Sequence, residues 1–121
     1  MANTFKVVNF AAEPASAGTP YVMYTVAGST TTVVLGLILT NIHSSAVTVE
    51  VELNSDTANR AVANNTANGI SFLVKDVTIP AGSSLELLSG GKVVLEATDA
   101  LRIDCSVADK LSGTLSVMEI T

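Results

Sequence analysis

The chain has 121 residues, and its 12.4 kDa is material for one hydrophobic core rather than two domains. Hydrophobic residues make up 48% and charged residues only 14%, with a mean hydropathy of +0.49, so part of the surface is uncharged and apolar area is expected to be covered by a partner. Eleven acidic residues against six basic ones give a net charge of −5, and the basic residues are scattered singly, which excludes a footprint for phosphates; no nucleic-acid partner is expected.

The N-terminal stretch from Met1 to Lys6 lacks a basic region followed by an apolar segment. The longest apolar run, Val33 to Leu39, falls far short of the roughly 20 residues needed to cross a bilayer, so neither a signal peptide nor a membrane span is expected. Residues 1–20 read as an arm, or as an edge strand over Phe5–Phe10 with a flexible lead through Glu13-Pro14-Ala15-Ser16-Ala17-Gly18. Residues 21–121 read as the folded domain.

Period-two alternation dominates that domain and marks half-buried strands. Strands are expected over Tyr21–Ala27, Thr31–Ile42, Ala46–Asn54, Ile70–Ile79, Ser83–Leu88, Lys92–Ala97, Leu101–Val107 and Gly113–Thr121, punctuated by turn residues such as Pro80-Ala81-Gly82 and Gly90-Gly91. Val47, Val49, Val51 and Leu53 share one face, as do Ile70, Phe72 and Val74, and Leu101, Ile103, Cys105 and Val107. Residues 54–69 are small and polar and read as a long exposed loop, with one helical turn around Ala58 to Ala63 as an option. Many short strands and no helical stretch make the fold class all-β: a single β-sandwich, jelly-roll or immunoglobulin-like, of about eight to nine strands, with a barrel as the alternative.

One run departs from simple alternation. Val33, Leu35, Leu37 and Leu39 occupy one face of an extended strand and Val34, Gly36 and Ile38 the other, so both faces are apolar. Either the strand is central and packed on both sides, or one face meets another subunit; Val34, Leu35, Leu37, Ile38 and Leu39 are the candidate contact residues.

The residue types that carry chemistry are sparse. His43, the only histidine, falls in a turn, and Cys105, the only cysteine, falls on an inward face, which leaves no intrachain disulfide and no exposed Cys–His pair. No serine lies in a Gly-x-Ser-x-Gly elbow. Glu50 and Glu52 would stand about 7 Å apart on one strand face, a spacing that suits an inverting glycosidase, yet the chain has no Trp to build a sugar platform. Asp99, Asp104 and Asp109 are scattered acids, and no zinc or calcium motif is present. No catalytic, cofactor-binding or metal residue is assigned, and the expectation is a protein that is not an enzyme.

The stretch from Phe72 to Ile103, the closing run from Gly113, and Tyr24 to Gly28 followed by Thr31 to Leu53 together resemble small β-sandwich virion proteins of tailed bacteriophages, including those of cyanobacteria and marine bacteria. The resemblance covers most of the chain from Tyr21 onward. It implies a structural protein of the virion, made in the host cytoplasm. The expected role is capsid decoration or cement, with a homotrimer as the unit and the major capsid protein or other virion proteins as partners. A neck or tail component is the alternative, and a carbohydrate-binding or adhesin-like sandwich is the alternative from another class.

Overall fold

The computed structural model describes residues 2–55, 69–88 and 90–121. Nine strands follow in chain order: β1 (Asn3–Glu13), β2 (Tyr21–Thr25), β3 (Thr31–Asn41), β4 (Val47–Ser55), β5 (Gly69–Ile79), β6 (Ser84–Leu87), β7 (Val93–Leu95), β8 (Ala100–Cys105) and β9 (Leu111–Ile120). No helix occurs among the described residues. Residues 56–68 of the expected loop, with its optional helical turn, lie outside the described residues; Asn54, Ser55 and Gly69 extend β4 and β5.

The strands form two antiparallel sheets. One runs β1-β9-β3-β6, and β7 pairs the same edge of β3 further along; the other runs β2-β8-β4-β5. Since β6 covers Leu37–Thr40 and β7 covers Thr32–Val34, they are two pieces of one broken edge strand. The first strand lies beside the last and β2 lies beside β8, which is the strand order of a jelly roll and not of the immunoglobulin arrangement. Alternating apolar residues make this order work, because each strand turns one apolar face to the opposing sheet.

Between the sheets lie Val34, Leu37 and Leu39 of β3, Leu111, Leu115 and Val117 of β9, Val49 and Val51 of β4, and Leu101, Ile103 and Cys105 of β8. At Gly113 the core leaves no room for a side chain. A Cβ there would stand 2.5 Å from two atoms of the Phe10 ring, the ring of its cross-strand partner on β1. That ring also meets Tyr21 edge-on, with centroids 5.3 Å apart, and so bridges to the second sheet. Asn41, fully buried at the end of β3, closes the turn into β4: its Nδ2 donates to the carbonyls of Ser45 and Ile79, each at 2.9 Å, and its Oδ1 accepts from the His43 N–H at 2.8 Å.

Two face assignments made from alternation are corrected. On β3 the register with β9 shifts between Val34 and Gly36, a bulge that adds one residue and reverses parity. Val34, Leu37 and Leu39 therefore all point inward, and Val33 points outward, where strict alternation groups it with Leu37 and Leu39. On β5 the pairing with β4 shifts around Val49–Glu52, and Ile70 and Phe72 stand exposed on the outer face instead of in the core. Strict alternation does hold on β8, where Leu101, Ile103 and Cys105 are buried as expected.

Candidate assembly surface

On the outer face of the β1-β9-β3 sheet, the paired residues Phe5, Met118, Val33 and Val94 form one row across β1, β9, β3 and β7. All four are apolar, and the row spans about 14 Å at a strand spacing of about 4.8 Å. Phe5 is 71% exposed and Val94 59%. The next outward positions are Val7 (65% exposed), Ser116 and Gly36, followed by Asn9, Thr114, Ile38 (44% exposed) and Glu86. The bulge on β3 places Leu35 beside this row, half-buried. Leu35, Gly36, Ile38, Glu86, Thr114 and Ser116 lie along a shallow groove of about 290 Å³. Glu86 is the one charged side chain in these cross-strand rows.

Of the five contact candidates named from sequence, the structure keeps two on this surface. Leu35 and Ile38 face outward, whereas Val34, Leu37 and Leu39 are fully buried between the sheets and cannot meet another chain while the fold is intact. Alternation alone missed Phe5, Val7, Met118 and Val94, which the pairing of strands distant in sequence brings beside Ile38 and Leu35. The signal that was legible was the pair of apolar residues at alternate positions of β1, Phe5 and Val7.

The outer face of the other sheet is ionic. Glu50 and Glu52, the two carboxylates of one strand face, are each held by their own cation: Lys75 Nζ lies 2.9 Å from Glu50 Oε1, and Arg102 Nη2 lies 2.6 Å from Glu52 Oε1. The hydrogen bond to Glu50 raises the Lys75 ammonium above its ordinary value, and the same ammonium sits 4.5 Å over the Phe72 ring. A polar depression of about 180 Å³ is lined by Gly18, Thr48, Glu50, Asp76, Asp104, Cys105 and Ser106. Asp104 Oδ1 accepts there from the N–H groups of Gly18 at 3.1 Å and Cys105 at 2.8 Å. Asp99 lies elsewhere, buried in the turn before β8, where its carboxylate accepts from the Glu96 N–H at 2.9 Å. Asp109 is exposed at a left-handed φ of 58°. No group of three or more His, Cys, Asp or Glu among the described residues is arranged to hold a metal ion.

A polar cluster joins the two sheets at one end of the sandwich. The Tyr24 hydroxyl donates to Glu119 Oε2 at 2.6 Å, which leaves the Thr32 hydroxyl, 2.8 Å away, to donate to Tyr24. Lys6 Nζ reaches Glu119 Oε1 at 2.8 Å and ties β1 into the cluster. Burial, then the Glu119 carboxylate, push the Tyr24 hydroxyl up to about 12. Lys6, then Tyr24, hold the Glu119 carboxyl below its usual value.

No protein-family model matches the sequence, and no curated protein does. Among solved structures, the chain is similar to one from the disulfide-linked pili formed by Bacillus endospore appendages, at 13% identity and a TM-score of 0.47, over 99% of this chain and 87% of that one. It is also similar to a chain of infectious bursal disease virus, Gx strain, at 15% identity and a TM-score of 0.48, over 95% of this chain and 33% of that one. A chain of the T13 IBDV particle aligns at 12% identity and a TM-score of 0.29, over 98% of this chain and 39% of that one. The chain thus spans well under half the length of these virus chains. The jelly-roll order stands on the pairing of its own strands.

Proposed function

We propose that the chain is a non-catalytic structural protein of a tailed-phage virion, a capsid decoration or cement protein that lays the outer face of its β1-β9-β3 sheet on neighbouring capsid subunits. The observation that carries the docking is the apolar row Phe5–Met118–Val33–Val94, extended by Val7, Leu35 and Ile38, on a face with one carboxylate in its cross-strand rows. An aromatic anchor among aliphatic residues and a scarcity of charge are the composition of an interface core. Covering such a face contributes about 25 cal/mol per Å² of apolar area, set against the costs of association. The assignment to a phage particle is supported by the sequence resemblance from Tyr21 onward, which also implies the homotrimer.

Co-sedimentation of the purified protein with undecorated capsids tests the reading. Saturable binding by the native chain, weakened at least about tenfold (roughly 1.4 kcal/mol) by Ile38→Asp, is the expected result. Failure to bind capsids while binding isolated necks or tails would move the protein to those parts of the particle.

A further inference from the structure

The sheets end in strands whose outer backbone groups have no strand partner among the described residues, and most of these edges are protected. β6 and β7 are four and three residues long. β2 has five residues and a register shift between Val22 and Tyr24. β5 is long, but it carries Lys75 and Asp76, the latter at a φ of 53°, and two register shifts against β4. Shortness, charge and bulges are the features that keep an edge from pairing with another chain. β1 lacks them: its register with β9 is unbroken from Asn3 to Phe10, and the sole charge in that span, Lys6, is already matched by Glu119.

The outward-facing groups of β1 follow from its ladder. Ala2 and Thr121 exchange both backbone hydrogen bonds, at 3.2 and 3.0 Å. In an antiparallel pair such residues alternate, so Thr4, Lys6 and Val8 bond toward β9, and Asn3, Phe5, Val7 and Asn9 turn their N–H and C=O groups to the open edge. We infer that this edge is a strand-pairing site for β1 of a second copy, antiparallel across a two-fold axis, so that two sheets become one continuous sheet. Among the described residues, a second copy can offer only its own β1 as a long, regular strand whose single charge in the regular span is already paired, because its other edges are short, bulged or charged.

The register is limited by the same groups. Hydrogen-bonded pairs must join residues of the set Asn3, Phe5, Val7 and Asn9 in both copies. An axis at Lys6 sets two like charges opposite each other. An axis at Phe5 engages only Asn3 to Val7. An axis at Val7 pairs Val7 with Val7 of the second copy and Phe5 with its Asn9, engages the regular stretch from Thr4 to Phe10, and merges the exposed Phe5 and Val7 side chains of both copies into one apolar patch. This contact rests on reading the sheet as an assembly element, and it replaces the implied homotrimer with a two-fold unit.

Amide exchange followed by NMR at two protein concentrations, with mass by light scattering, tests the contact. The expected result is a mass of twice 12.4 kDa at the higher concentration. Exchange at Phe5, Val7 and Asn9 should slow as concentration rises, while Thr4, Lys6 and Val8 stay protected throughout. Val7→Pro removes one edge N–H and no bond to β9, an exchange that edge strands accept, and is expected to give a folded monomer. Val7→Ser keeps the N–H and is expected to remain a dimer. A trimer, a monomer at both concentrations, unchanged exchange at the three amides, or a Val7→Pro protein that dimerises like the native chain overturns the inference. A monomer that still decorates capsids sinks the edge pairing alone, and a dimer that ignores capsids sinks the virion reading alone.

Discussion

Across one outer face the paired side chains read Phe5, Met118, Val33 and Val94; across the other they read Val22, Arg102, Glu52 and Phe72. Both rows cross four strands, and both begin and end on an apolar residue. They differ at the centre. The second face neutralises its central charges, because Arg102 and Glu52 pair at 2.6 Å and Lys75 caps the exposed ring of Phe72. The first face has no such internal partner, and its central Met118 and Val33 meet their neighbours only through apolar contact. A sheet that closes its own charges can stand in water, whereas a sheet of aliphatic rows gains free energy when another chain covers it.

The most severe break in this comparison separates neighbours on β3. Leu37→Asp places an unpaired charge in the core, at a cost of several kcal/mol, and is expected to leave no cooperative unfolding transition in circular dichroism. Ile38→Asp, one residue on, should fold normally and lose only its binding. Next in size is the ion-paired face: Arg102→Met strands the buried Glu52 carboxylate and is expected to cost about 2 kcal/mol in urea unfolding, much of it recovered by adding Glu52→Leu.

The junction between the faces should show itself at high pH. The Tyr24 hydroxyl is raised from 10.0 to about 12, so its contribution is fully present below pH 10 and lost as pH rises toward 12. The unfolding temperature of the native chain should fall across that window, and Tyr24→Phe should flatten the fall. Glu119 works at the other end: its lowered value gives stability that is present above pH 4.5 and fades as acid protonates the carboxylate. The smallest effect is expected at the exposed Lys75, where Lys75→Ala should leave the unfolding temperature nearly unchanged and make it less sensitive to salt.

Strand positions were legible because alternation and turn residues are local, and all nine strands lie where those signals put them, with no end moved by more than three residues. Faces were legible only where the ladder is regular. On β8 the inward set of Leu101, Ile103 and Cys105 stands as read, but the β3 bulge turns Val34, Leu37 and Leu39 to the same side, and the irregular β4–β5 pairing turns Ile70 and Phe72 outward. A bulge is one residue added relative to a partner strand, and that partner is not visible in the run itself. The candidate surface was half legible for the same reason. Leu35 and Ile38 lie in the apolar run, whereas Phe5 joins them only because β9 lies between β1 and β3. The Tyr24–Glu119 hydrogen bond spans 95 positions and carries no local signature at all.

Cys105 gives the molecule a clock. It is the only thiol, it is buried, and it lies on β8 opposite Val49, in the interior of the second sheet. A thiol reagent in solution reaches it only when β8 parts from its neighbours, so the rate of alkylation counts those openings without any added label. In the folded chain that rate should be slow and steeply dependent on temperature. Engagement of the opposite sheet by a partner should slow it further if the two sheets open as one unit, and leave it unchanged if they open separately.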